Sequence, residues 1–154
     1  MKLRTSLLTF ALCLLAALSY AATDSFMGAW KLDEAKSKLA AGAPKNTMVT
    51  YEAAGDSIKV TIEGVGADGT ATHSEWTGKF DGKDYPVTGN SGEDMRSATK
   101  VNDHTLNVTS KKDGKVVLTA HVVTSADGKT RTVTIHTTDA SGKKMTSTAV
   151  YDKQ

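Results

Sequence analysis

The chain has 154 residues, 19 Lys or Arg against 17 Asp or Glu, a formal charge of +2 and one cysteine. That length suits one domain burying roughly two thirds of its unfolded surface. The charges are interspersed, which excludes the basic stripe that nucleic acid requires, and a lone cysteine excludes an internal disulfide framework.

In chain order, Lys2 and Arg4 come first and an apolar stretch follows over residues 7–18, broken only by Thr9. It is too short for a membrane-spanning helix, which needs about 20 residues. Ser19-Tyr20-Ala21 then gives a small-x-small pattern. Together these predict a signal peptide over residues 1–21, cleaved after Ala21 with Ala22 as the alternative. An uncleaved anchor is the competing reading. Lipidation at Cys13 is disfavoured, because Leu12 directly precedes it and it lies deep in the apolar run. Cleavage removes Lys2, Arg4 and Cys13 and leaves residues 22–154 as a near-neutral, cysteine-free domain. The expected destination is periplasmic or secreted, as a monomer with no stable membrane insertion after cleavage.

The mature region is predicted to form strands at 26–33, 46–52, 57–64, 70–80, 84–88, 94–101, 105–111, 115–125, 129–139 and 144–152. Their apolar residues recur with period two. Turn signals separate them at regular intervals, among them Asp81-Gly82, Asn102-Asp103, Asp113-Gly114, Asp127-Gly128 and Ser141-Gly142. Asp-Gly accepts the positive φ that tight hairpins demand. Residues 34–43, rich in Ala and Lys and ended by Gly42 and Pro44, are the single helical candidate. The fold class expected is all-β: an antiparallel up-and-down meander closed as an eight- to ten-strand barrel, with one short helix after the first strand. Closure removes the exposed edges of so long a meander.

Register follows from requiring one apolar face. A two-residue loop at Asp127-Gly128 places Leu118, Ala120 and Val122 on one face with Val133 and Ile135. A three-residue loop at 112–114 sets Val108 against Leu118 and Leu106 against Ala120. A two-residue loop at Asn102-Asp103 adds Met95, Ser97 and Thr99, and sends Arg96 outside with Lys100. His121 and His136 fall together on the outer face. Arg131 falls inside. In the last hairpin a three-residue loop sets Arg131 opposite Tyr151, whereas a two-residue loop turns Tyr151 outward; both remain open.

The first strand reads Phe26-Met27-Gly28-Ala29-Trp30-Lys31-Leu32. This Phe-x-Gly-x-Trp-Lys-Leu, opening a ten-strand meander, resembles the calycins, the lipocalins and fatty-acid-binding proteins. The resemblance implies that Trp30 closes the barrel floor and that Gly28 permits close packing there. Lys31-Leu32-Asp33-Glu34-Ala35-Lys36-Ser37-Lys38 and Tyr85-Pro86-Val87-Thr88-Gly89 also resemble small exported bacterial proteins of undefined function. There are departures from the fatty-acid-binding proteins. The segment at 34–45 is too short for their two-helix lid. Their carboxylate-binding Arg-x-Tyr is replaced by Ala149-Val150-Tyr151.

The function expected is an exported, lipocalin-like protein that binds a small, mostly apolar ligand. Trp76, Phe80, Leu118 and Val133 line the cavity, and Arg131 with Tyr151 meets any polar head group. Small or hydroxylated inner-face residues (Thr72, Ser74, Gly78, Ser97, Thr99) favour a hollow interior; the alternative is a barrel packed solid around Trp30, Trp76, Phe80 and Met95. The plainer reading of Arg131 is a rim residue paired with Asp139 or Asp152. His73 with Glu75, and His121 with His136, are read as solvated rather than metal-binding, since two His make a weak zinc site. No catalytic constellation and no cofactor motif is apparent. The alternative function is a periplasmic or cell-envelope module that presents its Thr-rich outer face (Thr130, Thr132, Thr134, Thr138) to a protein or polymer partner.

Overall fold

The structure, a computed structural model, describes residues 24–138 and 141–154. The predicted signal peptide and its cleavage positions lie outside the described residues. Ten strands form: β1 (Gly28–Lys38), β2 (Lys45–Ala54), β3 (Ser57–Val65), β4 (Ala71–Gly78), β5 (Tyr85–Gly89), β6 (Met95–Asn102), β7 (Thr105–Lys112), β8 (Lys115–Thr124), β9 (Thr130–Thr138) and β10 (Lys144–Lys153). Each pairs antiparallel with its neighbours in sequence, and β1 pairs with β10 to close the barrel. A ten-stranded antiparallel closed barrel fits a calycin-like fold in general.

The predicted helix is not there. Residues 34–38 continue β1 as a wide bulge: from Asp33 to Lys38 β1 advances five residues while β10 moves two, from Val150 to Thr148. Side-chain oxygens explain it. The Ser37 hydroxyl donates to the Asp33 carbonyl (2.6 Å) and accepts from the Val150 amide (2.9 Å), while Asp33 Oδ1 accepts from the Lys36 amide (3.1 Å). Ser and Asp here offer the backbone partners that a helix would otherwise supply.

One of the predicted registers holds, two shift, and the last hairpin, open between two loop lengths, takes one of them. Val122 faces Val133 and Ala120 faces Ile135, as a two-residue turn at Asp127-Gly128 requires. Tyr151 faces Arg131 and both are buried, so the last hairpin takes the register that points Tyr151 inward. Between β7 and β8 the pairing slides: Val108 faces Ala120 and Leu106 faces Val122. The slide is two residues, so the inner face survives. Between β6 and β7 the extra residue Val101 separates the Lys100–Leu106 and Asn102–Thr105 pairs. That one-residue bulge turns β6 over. Arg96 and Ala98 are therefore inside, and the predicted inward Met95, Ser97 and Thr99 are not.

The core occupies one end of the barrel. Phe26, Trp30 and Leu106 are wholly buried there. Residues 24–27 pass across that end, turned by a hydrogen bond from the Met27 amide to the Asp24 carbonyl (3.0 Å) and tied by the Ser25 hydroxyl to the Asp103 carbonyl. Gly28, at φ 96°, lets the chain turn from this crossing into β1.

The narrowest seam is β4–β5–β6, where β5 contributes only five residues. Gly89 ends β5 at φ 109°, and a Cβ there would lie 2.1 Å from the His73 carbonyl oxygen. Gly92, at φ 78°, has open space around it. Gly89→Ala should lower the unfolding free energy by about 3 kcal/mol, from strain plus a backbone clash, and Gly92→Ala by about 1 kcal/mol. Urea denaturation measures both, and equal losses would contradict the packing described at this seam.

Candidate functional site

The inner faces of the strands enclose a chamber of about 110 Å³. Every ligand-contact residue predicted from sequence lines it: Trp76, Phe80, Leu118, Val133, Arg131 and Tyr151. Strand alternation brings them together: Trp76 on β4, Leu118 on β8, Val133 and Arg131 on β9 and Tyr151 on β10 all point inward. Trp76 is fixed by its indole N–H to the Arg96 carbonyl (2.9 Å) and stacks on Phe80 at 6.4 Å between centroids. Phe80 meets Phe26 edge-on at 6.0 Å, joining the wall to the floor.

A second space of about 480 Å³ lies where the β1–β2, β3–β4, β5–β6 and β9–β10 connections gather, with Pro44, Ala67, Gly92 and Met145 on its walls. Glu93, Ser110 and Leu118 line both spaces. They form the neck between an outer mouth and the inner chamber. The barrel is thus a cup, plugged at the Trp30 end and open at the other.

Arg131 belongs to the plug. Its guanidinium carbon sits 4.0 Å from the Trp30 ring centroid and 4.5 Å from that of Tyr51. Its Nη2 donates to the Phe26 carbonyl at 2.8 Å, the same oxygen that accepts the Trp30 indole N–H at 3.0 Å. Among the described residues no carboxylate pairs with it, and its Nε has no hydrogen-bond partner. Asp152, one of its two predicted partners, pairs with Lys36 instead (3.1 Å); Asp139 lies outside the described residues. Burial pushes the Arg131 pKa down, and Tyr51 and Tyr151 push it back up. It remains a cation at neutral pH, stabilised by aromatic faces. Tyr151 has its phenol pushed up by burial and donates its hydroxyl to the Asn46 carbonyl (3.1 Å).

Sequence reasoning missed Glu93 and Arg96. Their side chains are only 9% and 10% exposed, and they form the least exposed ion pair among the described residues. Arg96 Nε donates to Glu93 Oε2 at 3.2 Å, and Nη2 donates to Oε1. The alternation of β6 assigned Arg96 outward, and only the bulge at Val101 reverses it. Glu93 lies in the Ser91-Gly92-Glu93-Asp94 connection, where no periodicity marks an inward residue.

The histidines lie outside. His121 bonds Asn107 (2.8 Å), His136 bonds Thr146 (3.0 Å) and His73 pairs with Glu63 (2.6 Å). Among the described residues no group of three or more His, Cys, Asp or Glu is placed to hold a metal ion.

No protein-family model matches the chain, and neither a curated protein nor a solved structure matches it.

Arg131→Met keeps much of the side-chain bulk but removes the stacked charge and its bond to Phe26. It should lower the unfolding free energy by about 2 kcal/mol and loosen the packing of Trp30. Chemical denaturation and the wavelength of tryptophan emission report the two effects; unchanged stability and emission would show that Arg131 does not hold the floor.

Proposed function

We propose that this chain is an exported, calycin-like protein that binds a small, mostly apolar ligand inside its barrel. The observation that carries the reading is the apolar chamber beneath an open mouth. Trp76, Phe80, Leu118 and Val133 offer it dry contact, and each methylene drawn in contributes about 0.8 kcal/mol. Arg131 and Tyr151 lie at the closed end of the chamber, their polar groups bonded to the Phe26 and Asn46 carbonyls. Apolar cavities not much larger than this one accept a benzene ring, at about 150 Å³. A ligand longer than that extends through the neck into the mouth. Export is supported by the basic, apolar and small-residue order of residues 1–21, which would place the domain in the periplasm or outside the cell.

A second reading uses the outer face. Two rows there, Thr109–Thr119–His136–Thr146 and Asn107–His121–Thr134–Thr148, cross β7 to β10 without a Lys, Arg, Asp or Glu. They suit an uncharged protein or polymer surface.

Titration with Nile red, an uncharged environment-sensitive dye, separates the two. The dye should bind the native protein with a blue-shifted emission. Ala120→Phe, which fills the chamber from its wall, should weaken binding by at least about tenfold while the fold persists by circular dichroism. Binding that survives Ala120→Phe and is lost on Thr134→Lys would move the site to the outer face.

A further inference from the structure

The neck of the cup carries a charge pair beside Ser110 and Leu118. Arg96 points inward because of the bulge at Val101, and Glu93 reaches it from the β5–β6 connection. Both carboxylate oxygens accept from one edge of the guanidinium, and the Ser91 hydroxyl adds a bond to Oε1 at 3.3 Å. Arg96 lines the chamber alone, whereas Glu93 lines chamber and mouth. A molecule passing from the mouth, which Lys143 also lines, through the neck therefore meets Glu93 before Arg96.

A buried ion pair returns little net stability, because desolvation offsets its attraction. Its effect on an entering molecule is larger, because charges in a poorly hydrated neck are weakly screened. An ionised acid halted at the neck faces the Glu93 carboxylate, while the Arg96 edge that would receive it is already occupied. A hydroxyl or amide head group meets no opposing charge there and can donate to Glu93, with Ser110 beside it. Arg131 does not reverse the preference. It lies at the closed end, 2% exposed, between two rings and bonded to Phe26.

We infer that Glu93, held in place by Arg96, sets the head-group specificity of the barrel, selecting uncharged hydrogen-bonding amphiphiles such as long-chain alcohols and amides over the matching carboxylates. The inference rests on the proposed ligand-binding role of the interior. It assigns the ligand an orientation: apolar end in the chamber, polar end at the neck.

Displacement of bound Nile red by decanol and by decanoate, at a pH of about 8, tests it. Decanol should displace the dye from the native protein at a concentration at least about tenfold below that of decanoate. Glu93→Gln leaves Arg96 free to receive an acid and should shift the ratio by about tenfold or more toward decanoate. Glu93→Asp should keep the native preference. If the lone Arg96 charge prevents Glu93→Gln from folding, the double variant Glu93→Gln with Arg96→Met removes the pair and should likewise lose discrimination. Dye binding with equal displacement by both probes, or a ratio unmoved in the folded variants, overturns the inference and leaves the cavity reading standing. Failure of the native protein to bind Nile red or either probe overturns both.

Discussion

The Phe26 carbonyl accepts two hydrogen bonds, one from the Trp30 indole and one from the Arg131 guanidinium, and the guanidinium lies between the Trp30 and Tyr51 rings. This contact joins the segment before β1, β1 itself, β2 and β9. It converts the end of an open tube into a floor. A buried cation that pairs with no carboxylate among the described residues is costly in most settings, and here aromatic faces and one carbonyl offset that cost. Phe26, Trp30 and Arg131 close one end, and above them small side chains such as Ala98, Ser110 and Ala120 stand with Trp76 and Phe80 around the chamber.

The strand plan was legible because hairpin turns and period-two alternation are local. Asp127-Gly128 sets the β8–β9 register, and Val122 and Val133 meet where alternation places them. Asp113 takes φ 48° beside Gly114 at 74°, as the Asp-Gly signal anticipates. Bulges are another matter. Val101 and Val117 look like ordinary strand residues, and nothing local shows that each is left without a cross-strand partner. The helical composition of residues 34–43 was equally misleading, because the oxygens of Ser37 and Asp33 take over backbone bonding there.

The same distinction divides the site. Trp76, Leu118, Val133 and Arg131 were readable as inward residues, since their strands keep a simple alternation, whereas Tyr151 stood between two loop lengths and Phe80 lies just beyond the end of β4. The neck was not readable. Arg96 depends on the bulge at Val101, at the far end of β6, and the pair exists only once β6 has turned over. A single misplaced residue thus concealed the charged part of a cavity whose apolar part was plain.

The central claim is that the barrel is plugged at the Trp30 end and hollow above it. Xenon binds dry apolar cavities without needing a specific contact, so crystals of the protein held under xenon pressure test the claim most directly. The account predicts a xenon site inside the barrel, among Trp76, Leu118, Val122 and Val133. A barrel with no internal xenon, its Trp76 and Phe80 side chains packed across the space, would contradict it.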